Sequence, residues 1–496
     1  MRIIRLEIQN FRAFYGKHVV ELAKDGERGK QNLLVYGENG SGKSSLLLAI
    51  QYFLDSSNHF QDFNNYQHFK KKDDLGYIET HLRERLNTPK KVCKWSSIPE
   101  ETNTDDRDLN EASQAKGILD YKKLLEVHFV HRNESNINIF DLLVNNLLAK
   151  CINDSDIYLR TFSEQWNHLL TIIPKRRNNT RQLEEFRKEA ALFNLGLRAK
   201  LNELEGRIAS LMNYFGYQVN ISFGFENGID FNEDLAIKYS KDRKENSIKD
   251  REIFLNVEFL GEIVPSPHQF LNEAKLTAIA IAIYFGSLLI APKPKLKLLV
   301  LDDIFIGLDM SNRLPLIDIL KEKFSDYQIF LMTYDREWYE ILKQRLDSRT
   351  WLFQELYRGV IEDDLEIPIW KQDKDYLEKA VDYLSNHELK ASAVYLRNAF
   401  EVILKQFCND NKVKITYKEE SKKLTSDDFW QEVRKAKKTN GTLYVNQLLA
   451  FDVELYRNII MNPLSHSRIT GVFRQEIVDA IATIEKLKLA LFPNNK

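Results

Sequence analysis

Hydrophobic positions change their period several times along the 496-residue chain. "RIIRLEIQNF" alternates apolar and polar residues, which predicts a half-buried strand, and "HVVEL" predicts a second. "QNLLVYG" is apolar without interruption, the pattern of a strand in a sheet covered on both faces. A glycine-rich loop and an amphipathic helix follow, up to about residue 55. Residues 56–250 are charged and rich in asparagine. Within them, "TRQLEEFRKEAALFNLGLRAKLNELEGRIASLMNYF" places apolar residues at helical spacing over many turns. That stretch predicts a short helical arm, too short for a full coiled-coil rod. Sheet patterning returns from 251 in "IFLNVEFLGE", "LKLLVLDD" and "YQIFLMTYD", and ends near 365. Residues 370–496 read as helix throughout. The predicted organisation is therefore a split α/β head with a mixed sheet and helices (1–55 and 251–365), a helical insertion (56–250) and an all-α C-terminal domain (370–496).

Composition narrows the function classes. Lys plus Arg number 71 against 72 Asp plus Glu, a net charge of -1, so any surface for a polyanion must be a local patch. Two basic runs, "IPKRRNNTRQ" and "VRKAKKTNG", are candidates for such a patch. The three cysteines lie far apart and form no CxxC pair. This argues against a zinc hook or a disulfide scaffold and fits a reducing, cytoplasmic setting. The longest apolar run, "LTAIAIAIYFGSLLIA", is shorter than the ~20 residues that span a bilayer and predicts a buried helix, with no membrane role.

"YGENGSGKSSLLLAI" fits GxxxxGK[ST] between an apolar strand and an amphipathic helix, the context a phosphate loop requires. Gly37, Gly40 and Gly42 permit torsions that turn several backbone N–H groups toward one anion. Asn39, Gly40, Gly42, Lys43, Ser44 and Ser45 are the expected ATP-binding residues. Lys43 reaches the β- and γ-phosphates, and the Ser44 hydroxyl faces Mg²⁺. About 260 residues later "KLKLLVLDDIF" ends a strand in two carboxylates. Asp302 suits a Mg²⁺ ligand, and Asp303 the base that polarises the attacking water.

This order of segments resembles the ABC-type ATPase head of the SMC, RecF and OLD group. "FLNEAKLTAIAIAIYFG" is similar to that group's signature helix, "GLD" at Gly307–Asp309 to its D-loop, and "LMTYD" stands where its switch histidine lies. The resemblance implies a head-to-tail dimer, or a higher oligomer through the heads, clamping ATP between the phosphate loop of one and the signature helix of the other. Three departures stand out. Asn272 replaces the signature serine, Asp303 the usual glutamate, and Tyr334 the switch histidine. A misplacement of order 1 Å in such a site costs ~100-fold, so the expectation is slow hydrolysis, a switch rather than a motor.

In the C-terminal segment Arg397 and Glu401 are four apart, side by side on one helix face. "NPLSH" places His466 in a proline-containing turn some sixty residues on. An Arg-x-x-x-Glu helix followed by Asn-Pro-x-Ser-His is similar to the nuclease domain of the PrrC and RloC anticodon nucleases, which also carry an ABC-type head at the N-terminus. That resemblance implies metal-independent cleavage of tRNA or a similar RNA. Glu401 or His466 would take the 2′-OH proton, His466 would protonate the leaving oxygen, and Arg397 would clamp the phosphate. Arg457 lies nine residues before His466, a longer spacing than in the related HEPN ribonuclease motif. A nuclease leashed to an ATPase implies antiviral defence. The alternative is a sensing or scaffolding ATPase similar to the PtuA component of Septu systems, whose helical C-terminus docks a separate nuclease or a trigger-sensing partner.

Overall fold

The computed structural model describes residues 1–23, 29–115, 117–128, 137–174, 180–232, 247–361, 364–372, 375–415, 425–438, 441–461 and 473–493. The chain divides into two compact units, Met1–Lys371 and Gln372–Lys496.

The first unit is built around a six-stranded sheet. Its order is Leu365–Gln372, Trp351–Ile361, Asn32–Gly37, Gln328–Thr333, Leu298–Asp302, Gly117–Asp120. From Trp351–Ile361 onward the neighbouring strands run parallel. The continuously apolar strands are covered on both faces, as their sequences require. Leu34 and Tyr36 enter one core with Leu299 and Leu301, while Leu33 and Val35 enter the other with Leu298 and Val300. Because these strands are parallel, the C-terminal ends at Gly37, Asp120, Asp302 and Thr333 lie along one edge of the sheet.

A second, four-stranded antiparallel sheet, ordered Phe14–Glu21, Arg2–Phe11, Tyr77–Arg83, Lys91–Ser96, shares a core with one face of the central sheet. Here the structure corrects the expectation of a helical insertion over 56–250. Tyr77–Arg83 and Lys91–Ser96 extend the N-terminal hairpin, and Gly117–Asp120 is the edge of the central sheet. These strands are short and flanked by charged loops, so their pairing partners, not their own periodicity, make them strands. The central sheet also runs past 365, since Leu365–Gln372 is its other edge.

The expected arm is one 36-residue helix, Thr180–Phe215. It does not project as an arm. Phe186, Phe193, Leu197, Leu201, Leu204, Ile208 and Leu211 are all buried, and the helix packs along Glu273–Ile290. A stripe that wide needs a partner along its length. The apolar helix Glu273–Ile290 supplies it, being buried on nearly every side from Ala274 to Ser287. Glu273–Ile290 is long and apolar enough to cross a membrane, but 61% of it is buried inside the unit.

The second unit is helical. Tyr376–Ser385, Leu389–Asp410, Ser426–Val433, Gln447–Tyr456 and Arg474–Leu491 enclose a core containing Leu396, Phe400, Leu404, Phe407, Trp430, Ile460, Ile477 and Ile484.

Candidate functional site

The loop after Asn32–Gly37 turns through two left-handed glycines, Gly40 at φ 82° and Gly42 at φ 102°. Any other residue would be strained there. At Gly42 a Cβ would also sit 2.8 Å from Pro368 Cγ. The helix Lys43–Asp55 starts immediately after, so its unpaired N–H groups face the loop. Glu38, Asn39, Gly40 and Ser44 are exposed, and Ser45 half-buried. Ser41 is buried, with its hydroxyl unpaired among the described residues.

Lys43 is folded into this loop with 5% of its surface exposed. Its ammonium donates to Gly37 O at 2.7 Å and to Glu38 O at 3.3 Å, and lies 3.5 Å from Asp303 Oδ2. The Ser44 hydroxyl donates to Asp302 Oδ2 at 2.8 Å. Asp302 ends its strand 5% exposed, and its Oδ1 is buried without a hydrogen-bond partner among the described residues. Burial, then the neighbouring Asp303 charge, pushes its carboxyl up to about 6. An orphaned carboxylate oxygen beside a serine hydroxyl is an oxygen donor set in want of a hard cation, and Mg²⁺ fits it.

Asp303 adopts φ 52°, a left-handed torsion that costs a non-glycine residue free energy and turns its side chain back toward the loop. Its N–H donates to Met332 O at 3.1 Å, and its Oδ1 accepts from Tyr334 N–H at 2.8 Å. Burial raises its carboxyl above the usual range, and Lys43 opposes that. Tyr334 thus reaches Asp303 through its backbone, while its side chain is 41% exposed.

Asn272 caps Glu273–Ile290, its Oδ1 accepting from Lys275 N–H at 3.0 Å. Its amide nitrogen has no partner among the described residues, so a donor faces outward at a helix N-terminus. Gly307, at φ 89°, packs against that first turn: a Cβ there would lie 3.0 Å from Glu273 Oε1. Asp309 caps the next helix, Met310–Lys323. Arg313 then donates to Asp335 at 2.5 Å and to Leu308 O at 2.9 Å, tying the Gly307–Asp309 turn to the segment after Tyr334.

The structure therefore brings Lys43, Ser44, Asp302, Asp303 and the Tyr334 backbone together. It also adds a residue that the sequence pattern did not single out. Asp120 ends the strand beside Asp302 in register with it, and its charge contributes to raising Asp302. The signal was present: "GILD", like "VLDD", is a short apolar run ending in a carboxylate.

A model of the "RecF/RecN/SMC N terminal domain" matches residues 2–348. The chain belongs to that family. The fold is the mixed α/β ATPase head of the SMC type, with helical regions toward the C-terminus. SMC heads among solved structures are similar to it at low identity. One, bound to the C-winged helix domain of ScpA, is 12% identical over 75% of this chain and 99% of its own, with TM-score 0.43. A head with an extended coiled coil, bound to the C-terminal domain of ScpA derived from Pyrococcus furiosus, is 14% identical over 78% and 99%, with TM-score 0.36. The Thermotoga maritima head domain is 13% identical over 75% and 100%, with TM-score 0.35. No curated protein matches the chain.

In the second unit Arg397 Nε donates to Glu401 Oε1 at 3.3 Å, with both side chains a little over a quarter exposed. His466 lies outside the described residues, as do the middle of "IPKRRNNTRQ" and two residues of "VRKAKKTNG". Arg457 is buried, its guanidinium held by Asp427 at 2.9 Å and Glu454 at 3.2 Å and set over the Phe400 ring. Those carboxylates hold it as an internal cation.

Proposed function

We propose that the chain is an ATP-binding, slowly hydrolysing head that gates a metal-independent ribonuclease in its C-terminal unit, within prokaryotic antiviral defence. The observation that carries the ATPase part is the pairing of Ser44 with a buried, half-satisfied Asp302 beside Lys43 and Asp303. Bound Mg²⁺ would neutralise charge on the phosphates; Ser44 and Asp302 would hold it. Lys43 would exchange the carbonyls of Gly37 and Glu38 for phosphate oxygens, which are stronger acceptors. Asp303, freed from the ammonium and oriented by the Tyr334 N–H, would accept the proton of the attacking water.

Asn272 would act in trans. Its unpaired amide donor at a helix N-terminus suits a γ-phosphate of a second head, giving a head-to-tail dimer. The packing of Gly307 on the same helix turn, and the Arg313–Asp335 link, join the signature position to the switch segment within one head.

For the effector, support comes from the Arg397–Glu401 pair on one accessible helix face, next in the chain to a head that binds nucleotide. Arg397 would clamp the scissile phosphate, Glu401 or His466 would take the 2′-OH proton, and His466 would protonate the leaving oxygen. Transfer RNA sequencing from cells expressing the chain, before and after triggering, tests this reading. Cut anticodon loops bearing 2′,3′-cyclic phosphates are the expected result.

A second reading, a scaffold whose C-terminal unit docks a separate nuclease, is favoured by another observation. Leu448, Phe451, Leu455 and Ile459 recur at helical spacing along Gln447–Tyr456 and the turn after it, and each is exposed. An uncovered apolar stripe of this kind marks an interaction surface.

A further inference from the structure

Away from the phosphate loop, two loops of the small sheet are locked together. The turn Asn10–Gly16 and the segment 66–75 share Arg12 N–H to Tyr66 O at 2.8 Å, His68 N–H to Asn10 O at 2.9 Å, and Asn10 Nδ2 to Leu75 O at 2.8 Å. Asn10 also accepts from Gly16 N–H at 2.9 Å, holding the turn closed. On this rigid base the rings form a short ladder. Tyr15 meets His68 edge-on at 5.3 Å, and His68 stacks on Phe69 at 4.9 Å and 20°. His68 is 2% exposed, whereas Phe69 is 67% exposed. Phe69 therefore has one face on a ring and the other open to water. Leaving a phenylalanine so exposed forfeits much of the stabilisation its burial would contribute.

Cations adjoin Phe69 in the sequence and on the neighbouring turn. Lys70, Lys71 and Lys72 follow Phe69 directly. Lys71 lies over the Tyr15 ring at 5.1 Å and pairs with Asp74. Arg12, on the adjoining turn, and Lys72 are exposed or half-buried, and neither has a carboxylate partner among the described residues. Burial, then Lys70 and Lys71, keeps the His68 imidazole below its ordinary range.

We propose that this surface of the head binds single-stranded nucleic acid, with an unpaired base stacked on Phe69 and its flanking phosphates held by Arg12, Lys70 and Lys72. An exposed, stacked aromatic ring with cations on adjoining residues has the two components that single-strand binding uses: a base-stacking plane and a track for phosphates. A duplex hides its base faces and would offer this surface only its phosphates. The proposal goes beyond the ATPase and nuclease readings, because it needs neither nucleotide nor residues of the C-terminal unit.

The test is fluorescence anisotropy of the full chain with labelled oligo(dT), oligo(U) and a duplex of equal length, at several salt concentrations. The wild-type chain is expected to favour both single strands over the duplex. Phe69→Ala should weaken single-strand binding about 10-fold, within the range of one base stack, and Phe69→Trp should retain it. Lys70→Ala combined with Lys72→Ala should make the slope of log K against log salt shallower by roughly 0.7 for each phosphate no longer neutralised. Binding of a fluorescent ATP analogue, unchanged in these variants, shows that the head is folded. The proposal is overturned if the wild-type chain binds no single strand, if duplex binds equally well, or if Phe69→Ala binds single strands within twofold of wild type. The last outcome would make the exposed ring a protein-docking residue.

Discussion

The ammonium of Lys43 lies 3.5 Å from Asp303 Oδ2, joining a residue at the start of a helix to one about 260 positions later at the end of a neighbouring strand. Burial raises the Asp303 carboxyl, and Lys43 holds that rise in check. Replacing Lys43 by alanine leaves Asp303 buried without a cation and leaves the loop without its only mobile positive group. Lys43→Ala is expected to weaken ATP binding at least about 100-fold, or ~2.7 kcal/mol, in a titration with a fluorescent analogue. Unchanged affinity would refute the phosphate-loop assignment.

Asp303→Asn retains size and the hydrogen bond from Tyr334 N–H but removes the base. Hydrolysis should fall by ~10²–10⁴, while ATP-dependent dimerisation, measured by light scattering, should persist. Parental turnover in this variant would mean that another group polarises the water.

Asn272 is expected to work on the other head's nucleotide. Asn272→Ala and Asp303→Asn should each be nearly inactive alone. Mixed in equal amounts, they should recover on the order of a quarter of wild-type hydrolysis, because random pairing gives one intact composite site in half of the dimers. No recovery on mixing would argue that each head acts alone.

The C-terminal triad makes a separable prediction. Arg397→Ala, Glu401→Ala and His466→Ala should each reduce RNA cleavage by ~10²–10³ while leaving ATP turnover intact. If the unit docks a separate nuclease instead, these changes should matter little, because the Arg397–Glu401 pair is part-exposed and such pairs contribute ~0–1 kcal/mol. Replacing Leu448 and Phe451 by serine should then abolish partner capture.

Arg336 and Glu355 bear on stability. Glu355 is 7% exposed at its side chain and lies 3.0 Å from the Arg336 guanidinium, which also covers the Tyr36 ring. Burial alone would raise the Glu355 carboxyl, but hydrogen bonds from Arg336 and Tyr357 outweigh it and hold it below the ordinary range. A depressed folded-state value stabilises above the unfolded value and ceases to do so as pH falls through the folded one. Arg336→Ala should cost about 1–3 kcal/mol in urea titration at pH 7, and the deficit should shrink at a pH below the ordinary glutamate range, where Glu355 protonates. An equal deficit at both pH values would point to packing over Tyr36 as the cause.

Local grammar was enough for the glycine loop that opens helix 43–55, the strand end at Asp302–Asp303 and the buried helix 273–290. A glycine-rich anion loop needs particular residues at particular spacings, and a doubly covered strand must be apolar throughout, so both leave marks within a dozen residues. The same holds for the helices Tyr376–Ser385, Leu389–Asp410 and Arg474–Leu491, where apolar residues repeat with the helical period. Tertiary structure alone decided three other matters. Residues 77–83, 91–96 and 117–120 became strands because the hairpin 2–21 and the strand 298–302 offered free edges, and a hydrogen-bonding edge is a property of the partner. The helix 180–215 lies along the head instead of projecting, because helix 273–290 presented an apolar surface to pack against. Asp120 came to stand beside Asp302 only through strand register, which couples two residues far apart in the chain without leaving any pattern between them.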